Sequence, residues 1–136
     1  YSDLVTTTGT VNEDKPGTYT LTYTATDAAG NKAVSSRTST VKDTTPPVIT
    51  LFGNSSLTHE AGISYTDSGA TATDTVDGSV AVTTTGTVNE DKPGTYTLIY
   101  TSTDAGGNKA VSTRSFTDQD TKQPVITFFG HSSLTL

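Results

Sequence analysis

The sequence predicts an all-β chain made of repeated two-sheet β-sandwiches. Threonine supplies 32 of the 136 residues, and its branched Cβ favours strands over helices. Apolar residues make up only 31% of the chain, but they alternate with polar residues, which is the pattern of half-buried strands. Turn residues separate these runs at short intervals, and almost no stretch has the period of an amphipathic helix.

The chain contains a long internal repeat. Residues 5–21 read VTTTGTVNEDKPGTYTL, and residues 82–98 repeat these seventeen letters at an offset of 77 positions. Aligning residues 1–59 with 78–136 gives 43 identities in 59 positions. Two copies this similar indicate that the repeat, of about 77 residues, is the unit of design, as in an extended array.

The repeat boundary is predicted at DTTPP, residues 43–47, because two prolines exclude a helix and hold an extended linker. The chain then divides into the C-terminal part of a first repeat (1–45), a complete repeat (46–123) and the opening strand or strands of a following repeat (124–136). We expect the chain to be a segment cut from a longer array of repeats. The alternative is that the ends of successive chains complement one another by strand addition.

Three short strands are predicted first in the complete repeat, at Val48–Phe52, Leu57–Ala61 and Ala70–Asp74. The last two are separated by a turn-rich stretch in which Tyr65 is the expected anchor. Asp77-Gly78 is then a strong turn signal, because this pair readily adopts positive φ.

A longer strand is predicted at Val80–Val88, with Gly86 marking a bulge or bend. A polar turn at 89–94 leads to the clearest strand, Thr95–Thr103. One face of that strand carries Tyr, Leu and Ser, and the other carries Thr and one Ile, so one face should pack on a core and the other should meet water.

A hairpin loop at 104–108 leads to the last predicted strand, Lys109 to about Phe116. Alternation places Arg114 on the inward face of this strand beside Phe116, which leaves its register ambiguous. About seven short strands in one repeat favour a small two-sheet sandwich of the Greek-key type.

Several motifs occur in a fixed order: DTTPPVITLFG, then HEAGISYTDSGATATDTVDGSV, then GTVNEDKPGTYTLIYTSTDAGGNKAVSTR. In this order they resemble the bacterial immunoglobulin-like repeats of the DUF5011 group, and YTATDAAGN is similar to the end of hyalin repeat (HYR) domains. The resemblance covers the whole chain. It implies tandem immunoglobulin-like repeats in cell-surface or secreted proteins, with a spacer or adhesive role and no catalytic residues to carry over.

Composition excludes several functions. The net charge is −6 and the eight Lys and Arg residues are scattered, so the clustered cations that meet nucleic acid phosphates are missing. The sequence contains no Cys, which excludes disulfides and thiolate sites. No apolar run approaches the ~20 residues of a membrane-spanning helix. We expect a secreted, extracellular or cell-surface location for this acidic, Thr-rich chain.

An enzyme is not expected. The only histidines, His59 and His131, have no histidine counterpart at the 77-residue offset, and Thr-rich sandwich faces give no sign of the convergent pocket that nucleophilic catalysis needs.

Calcium is the cofactor that the sequence leaves open. Its hard oxygen ligands are commonly carboxylates and loop carbonyls, and acidic residues are abundant at turns and at the linker. The alternative, which we favour because no EF-hand spacing is present, is that these residues cap turns and keep the surface soluble. The candidate ligands are Asp43, Glu60, Asp67, Asp74, Asp77, Asp104 and Asp120.

The sequence therefore predicts a non-catalytic spacer or stalk segment of an extracellular repeat protein, adhesin or filament, whose partners are neighbouring repeats or further copies. The competing hypothesis is a binding module in which each repeat engages a glycan, a protein, a host surface or calcium. A spacer predicts no pocket that recurs at the repeat offset, whereas a binding module predicts exposed aromatic or acidic clusters on every copy.

Overall fold

The structure is a computed structural model that describes residues 3–130, 133 and 135. It confirms the all-β prediction, because the described residues form ten strands in three sheets. No helix in these ranges is long and apolar enough to cross a membrane. His131 lies outside the described residues. The strands are β1 (Val5–Thr8), β2 (Gly17–Thr26), β3 (Lys32–Val41), β4 (Val48–Leu51), β5 (Ser56–Glu60), β6 (Ala70–Asp74), β7 (Gly78–Val80), β8 (Thr83–Thr85), β9 (Gly94–Thr103) and β10 (Lys109–Gln119).

The first three strands form an antiparallel sheet in the order β1-β2-β3. Thr26 lies opposite Lys32 and closes the β2–β3 hairpin around the DAAGN loop. Tyr19, Leu21 and Tyr23 share one face of β2 and are half-buried. Within residues 48–119 a second sheet covers the corresponding face of β9, and Leu98 and Tyr100 are buried there.

Residues 48–119 form the two-sheet sandwich, with sheet orders β4-β6-β7 and β5-β10-β9-β8. It contains seven strands, close to the estimate of about seven, although only six were placed along the sequence. β5 and β10 pair in parallel, with Ser56 opposite Ser115, and the other neighbouring strands pair antiparallel. β4 and β5 belong to different sheets, so the chain crosses between the sheets at residues 52–55.

The prediction of one strand at Val80–Val88 is wrong. The structure divides it into β7 and β8, which belong to different sheets, and the chain changes sheet at Ala81-Val82. Side-chain alternation continues through such a crossing, so the sequence pattern does not reveal it. Gly86 follows β8 with φ +101°, and a Cβ there would lie 2.4 Å from the carbonyl oxygen of Thr97. Glycine therefore lets the chain lie directly against β9.

The core lies between the two sheets and is centred on β9 and β10. Its buried apolar side chains are Ala72, Leu98, Tyr100 and Phe116. Leu98, Tyr100 and the buried Ser102 lie on the inward face predicted for Thr95–Thr103. β10 extends three residues beyond its predicted end because its second edge pairs with β5 as far as Gln119.

Arg114 resolves the ambiguous register of β10, because it points inward and is 0% exposed. Its Nε donates a hydrogen bond to the carbonyl oxygen of Asn54 (2.9 Å), and one terminal nitrogen donates to the carbonyl oxygen of Phe52. The other terminal nitrogen donates to the Asp67 carboxylate and to the Tyr100 hydroxyl (3.0 Å). A charge can be buried here because every side of the guanidinium has an acceptor.

Asp67 is the anionic centre of this buried network. It accepts hydrogen bonds from the hydroxyls of Tyr100 (2.7 and 2.8 Å) and Tyr65 (3.0 Å). Burial raises the pKa of Asp67, but the hydrogen bonds from Tyr100, Tyr65 and Arg114 outweigh it and hold that pKa below its ordinary value. Burial and the hydrogen bond to Asp67 raise the pKa of Tyr100 to about 12, so the phenol stays neutral at physiological pH.

Candidate metal centre

Four of the seven candidate calcium ligands meet at one end of the sandwich. Each offers one carboxylate oxygen, and these four oxygens all lie within 4.8 Å of one another. One residue precedes β4 in the linker, one ends β6, one lies in the β6–β7 turn, and one follows β9. We call this group the junction cluster; its members are Asp43, Asp74, Asp77 and Asp104.

Asp74 is the most constrained member, because it caps the turn that follows β6. Its Oδ2 accepts hydrogen bonds from the backbone N–H groups of Val76 (2.9 Å) and Asp77 (3.0 Å). The residue is only 8% exposed, and its Oδ1 is buried without a hydrogen-bond partner among the described residues. One carboxylate oxygen thus holds the turn and the other is left without a donor.

Asp104 is held by the hairpin loop that it begins. It accepts hydrogen bonds from the backbone N–H (2.8 Å) and the side-chain amide (2.9 Å) of Asn108. Burial raises the pKa of Asp104, but the hydrogen bonds from Asn108 outweigh it and leave that pKa below its ordinary value. Asp104 is therefore ionised and fixed in position at neutral pH.

Asp43 brings the linker to this loop. The side-chain amide of Asn108 donates a hydrogen bond to the backbone carbonyl of Asp43 (2.9 Å). Asp43 Oδ1 accepts a bond from the N–H of Thr45 (3.1 Å), while Oδ2 is buried without a partner within the described residues. The hydrogen bond from Thr45 lowers the pKa of Asp43, whereas burial and the neighbouring Asp104 and Asp74 carboxylates raise it. The raising effects are larger, so the pKa of Asp43 lies above its ordinary value.

Asp77 completes the cluster from its more exposed side. Its Oδ2 accepts a hydrogen bond from the backbone N–H of Ala105 (2.7 Å), which ties the β6–β7 turn to the β9–β10 loop. Within the described ranges, no Lys or Arg forms an ion pair with a junction carboxylate. The arrangement thus concentrates negative charge and offers oxygen ligands.

The structure does not bring the other three candidates into the cluster. Glu60 ends β5 and accepts hydrogen bonds from Thr121 N–H (3.0 Å) and Oγ1 (2.6 Å). Asp120 follows the end of β10 and accepts a bond from the N–H of Lys122 (3.1 Å). Both belong to the opposite end of β10, and Asp67 is engaged by Arg114 in the core.

The first copy provides an internal comparison for the Asp104 loop. Asp27 accepts the same hydrogen bonds from the backbone N–H and side-chain amide of Asn31, both at 2.9 Å. The third loop residue differs, being Ala29 in the first copy and Gly106 in the second. A Cβ at Gly106 would lie 3.1 Å from the carbonyl oxygen of Asp43, so glycine gives the linker room against the loop.

Sequence reasoning missed Asn108, which holds both Asp104 and the linker backbone. The available signal was the spacing D-x-x-x-N, which recurs at 27/31 and 104/108. His59 also has a structural environment: its Nδ1 lies 2.9 Å from Asp118 Oδ1, and its ring packs on Phe116 with centroids 5.2 Å apart.

Comparison with known proteins identifies a family for this chain. The family model described as "Bacterial surface protein, Ig-like domain" matches residues 1–41 and 49–117. The chain belongs to this family. Its two matched stretches flank the linker that carries Asp43. The sandwich of this Ig-like surface domain is therefore a surface-protein module; narrower assignment to the DUF5011 or HYR-like group stays a prediction.

Two kinds of curated relative are similar to this Ig-like chain. The "Serine-rich adhesin for platelets" of Staphylococcus aureus strain MRSA252 is 37% identical over 111 residues, covering 73% of this chain and 8% of the adhesin. An uncharacterised 81.3 kDa protein of Acholeplasma phage L2 is 32% identical over 115 residues, covering 78% of this chain and 15% of that protein. The chain thus spans a small part of these relatives.

Among solved structures, the crystal structure of a lipoprotein from Bacteroides thetaiotaomicron is similar in fold. The TM-score is 0.51 with 21% sequence identity, over 57% of this chain and 40% of the lipoprotein. At this identity the likeness supports the fold alone.

Proposed function

We propose that the chain is a non-catalytic spacer segment of an extracellular, tandem-repeat surface protein. The observation that carries this proposal is that the polypeptide enters and leaves the sandwich at opposite ends. Repeats joined in this way extend end to end instead of folding back on one another. Each sandwich acts as a rigid bead, and the Pro-containing linkers set its distance from the next.

The positions of the two ends follow from β10. The linker at Asp43 contacts Asn108, which directly precedes β10. β10 then runs eleven residues to Gln119, or about 35 Å at the rise of an extended strand. The exit is fixed there, because Thr121 bonds to Glu60. One sandwich therefore adds about 35 Å to an array.

The division into repeats is part of this proposal. Residues 1–45 would belong to a preceding repeat, 46–123 form the complete one, and 124–136 begin the next. The partners are then neighbouring repeats of the same protein or copies in a filament. Val125, Ile126 and Phe129 are at least 80% exposed, which agrees with a segment whose strand partners belong to a following repeat.

A second candidate function is ligand binding by each repeat, and the name of the staphylococcal relatives favours it. In those proteins the stretch similar to this chain is at most 8% of the length, so their platelet binding can reside elsewhere. Saturable binding of the 136-residue chain to platelets would support this alternative, whereas the spacer role predicts none.

The spacer geometry is tested by pulsed electron–electron resonance between two spin labels. The chain contains no Cys, so Thr45→Cys and Lys122→Cys give unique attachment sites at the two ends. A narrow distribution centred roughly 35–45 Å apart is expected. The control is a second pair of labels, at Lys109→Cys and Gln119→Cys, which should report the length of β10. A distance between the end labels below about 20 Å, with the control distance as expected, would contradict the proposal.

A further inference from the structure

We propose that one calcium ion fastens the linker to the sandwich by binding the carboxylates of the junction cluster. The site lies where one repeat is joined to the segment before it. This inference goes beyond the spacer role and is independent of it, because a spacer can be extended with or without a bound ion.

The first observation is the convergence of four carboxylates from four separate places in the chain. One oxygen from each lies within 4.8 Å of the others. Ligands at calcium–oxygen distances of 2.3–2.6 Å sit at most about 5 Å apart across one ion. The spacing is therefore that of a shared cation. The negative charge is otherwise left without a Lys or Arg partner in the described part of the chain.

The second observation is the unpartnered oxygen of Asp74. This residue is 8% exposed, its Oδ2 is occupied by two backbone N–H donors, and its buried Oδ1 has no hydrogen-bond partner in the described structure. Asp43 Oδ2 is also buried and also has no hydrogen-bond partner in the described structure. Buried carboxylate oxygens without donors are costly and uncommon in folded proteins. A cation between them satisfies both.

The donor chemistry selects the ion. The cluster contains only carboxylates, with neither the imidazole nor the thiolate that favours zinc or copper. Magnesium demands near-octahedral geometry and keeps most of its water, whereas calcium accepts six to eight oxygens in irregular arrangements. Four carboxylates leave two to four positions for backbone carbonyls or water.

Binding would couple three separate segments. Asn108 and Ala105 already connect the β9–β10 loop to the linker and to the β6–β7 turn. A calcium ion adds a stronger connection among the same three segments and removes the repulsion between their carboxylates. The linker carrying Asp43 would then hold one orientation relative to the sandwich.

Isothermal titration of the 136-residue chain with CaCl₂, after removal of metal with EDTA, tests the site directly. One ion per chain should bind with a dissociation constant of about 1 mM or below, the range of extracellular calcium modules and tighter. At a tenfold excess over that constant, the unfolding midpoint should rise by about 5–10 °C. MgCl₂ at the same concentration should give a much smaller rise.

The repeat supplies matched control variants. Asp43→Asn and Asp104→Asn should each weaken calcium binding at least tenfold, because each removes a charged ligand. Their counterparts at the 77-residue offset, Asp120→Asn and Asp27→Asn, should leave binding unchanged. Asp43→Asn changes the linker and not a strand, so its folding is not at risk. Without metal it should melt at or above the wild-type temperature, because repulsion is relieved.

Three results would overturn the proposal. The first is identical melts in calcium and EDTA, with no heat of binding. The second is binding that persists in Asp43→Asn and Asp104→Asn, and the third is binding lost in Asp120→Asn. Any of these with the spin-label distance intact would remove the metal site and leave the spacer role standing.

Discussion

Replacing Arg114 with methionine should destabilise the sandwich severely. The substitution keeps a long apolar side chain inside the sheets but removes every donor of the guanidinium. Asp67 loses its cationic partner, and the carbonyl oxygens of Phe52 and Asn54 lose the donors that tie the sheet crossing to β10. The result is a partly buried carboxylate without a counter-charge.

The magnitude follows from the burial of the two partners. Removing one member of a buried ion pair costs about 3–5 kcal/mol. The Arg114 side chain is 1% exposed and that of Asp67 is 23% exposed, so water recovers part of the loss and the lower end, about 3 kcal/mol, is expected. A domain of this size is typically stable by only about 4–11 kcal/mol. The midpoint should fall by roughly 12–24 °C.

Urea unfolding of the full 136-residue chain, followed by tyrosine fluorescence and circular dichroism, measures this effect. Arg37→Met is the matched control, because Arg37 occupies the same repeat position but is exposed, with its guanidinium 5.7 Å from the Tyr23 ring. Its loss should cost no more than about 1 kcal/mol. Adding Asp67→Asn to Arg114→Met should restore about 1–3 kcal/mol, because the unpaired charge disappears.

An unfolding free energy of Arg114→Met within about 1 kcal/mol of wild type would contradict this prediction, and so would an equal loss in Arg37→Met. Failure of Asp67→Asn to restore stability would assign the loss to packing and to the carbonyl groups of Phe52 and Asn54, which lose their donors, rather than to the unpaired charge.

Two further predictions concern acid stability and a close backbone contact. Because hydrogen bonds hold the folded pKa of Asp67 below its ordinary value of 3.8, its contribution is present above that pH and is lost as the pH falls through the folded value. The unfolding free energies of wild type and Asp67→Asn should therefore differ at neutral pH and converge as the pH is lowered below 3.8, as urea titrations can measure. Gly86→Ala should destabilise by about 1–3 kcal/mol or more, because φ is +101° and the Cβ would lie 2.4 Å from Thr97 O. Gly78→Ala, which keeps the positive φ but meets no atom within 4 Å, should cost less in the same thermal melts.

Strand positions were predictable where alternation and turn residues coincide. Thr95–Thr103 has both, and β9 matches it with one extra residue at its start. Ala70–Asp74 matches β6 without change. The local pattern decides these strands because each lies wholly within one sheet. The prediction of one strand at Val80–Val88 was wrong because the alternating pattern gives the face of each side chain but not the sheet to which the strand belongs.

Arg114 shows a different limit of sequence reasoning. Alternation placed it inward, which conflicts with the usual exposure of arginine. The conflict disappears only in three dimensions, where Asp67 and two carbonyl groups from residues 52–54 surround the guanidinium. The first copy carries the same arginine at position 37 in an exposed setting, so residue identity alone did not determine burial.

The sequence predicted the type of residue that forms the junction cluster but not which aspartates belong to it. Aspartates at turns and at the linker identified the right kind of residue. Which of them meet depends on which turns share an end of the sandwich, and that depends on strand direction. Glu60 and Asp120 lie at the far end of β10 for this reason, although they resemble the junction residues in sequence context.

The parallel pairing of β5 with β10 determines how the sandwich would respond to tension. Ser56–Glu60 lies beside Ser115–Gln119 in five consecutive pairs, and the hydrogen bonds run across the line from Asp43 to Gln119. Once the β4–β6 pair has separated, a pull applied at the two ends would slide β5 and β10 past each other, so the bonds between them would share the load and fail together instead of opening one at a time. The same strand pair that closes one edge of the core would thus act as a mechanical clamp.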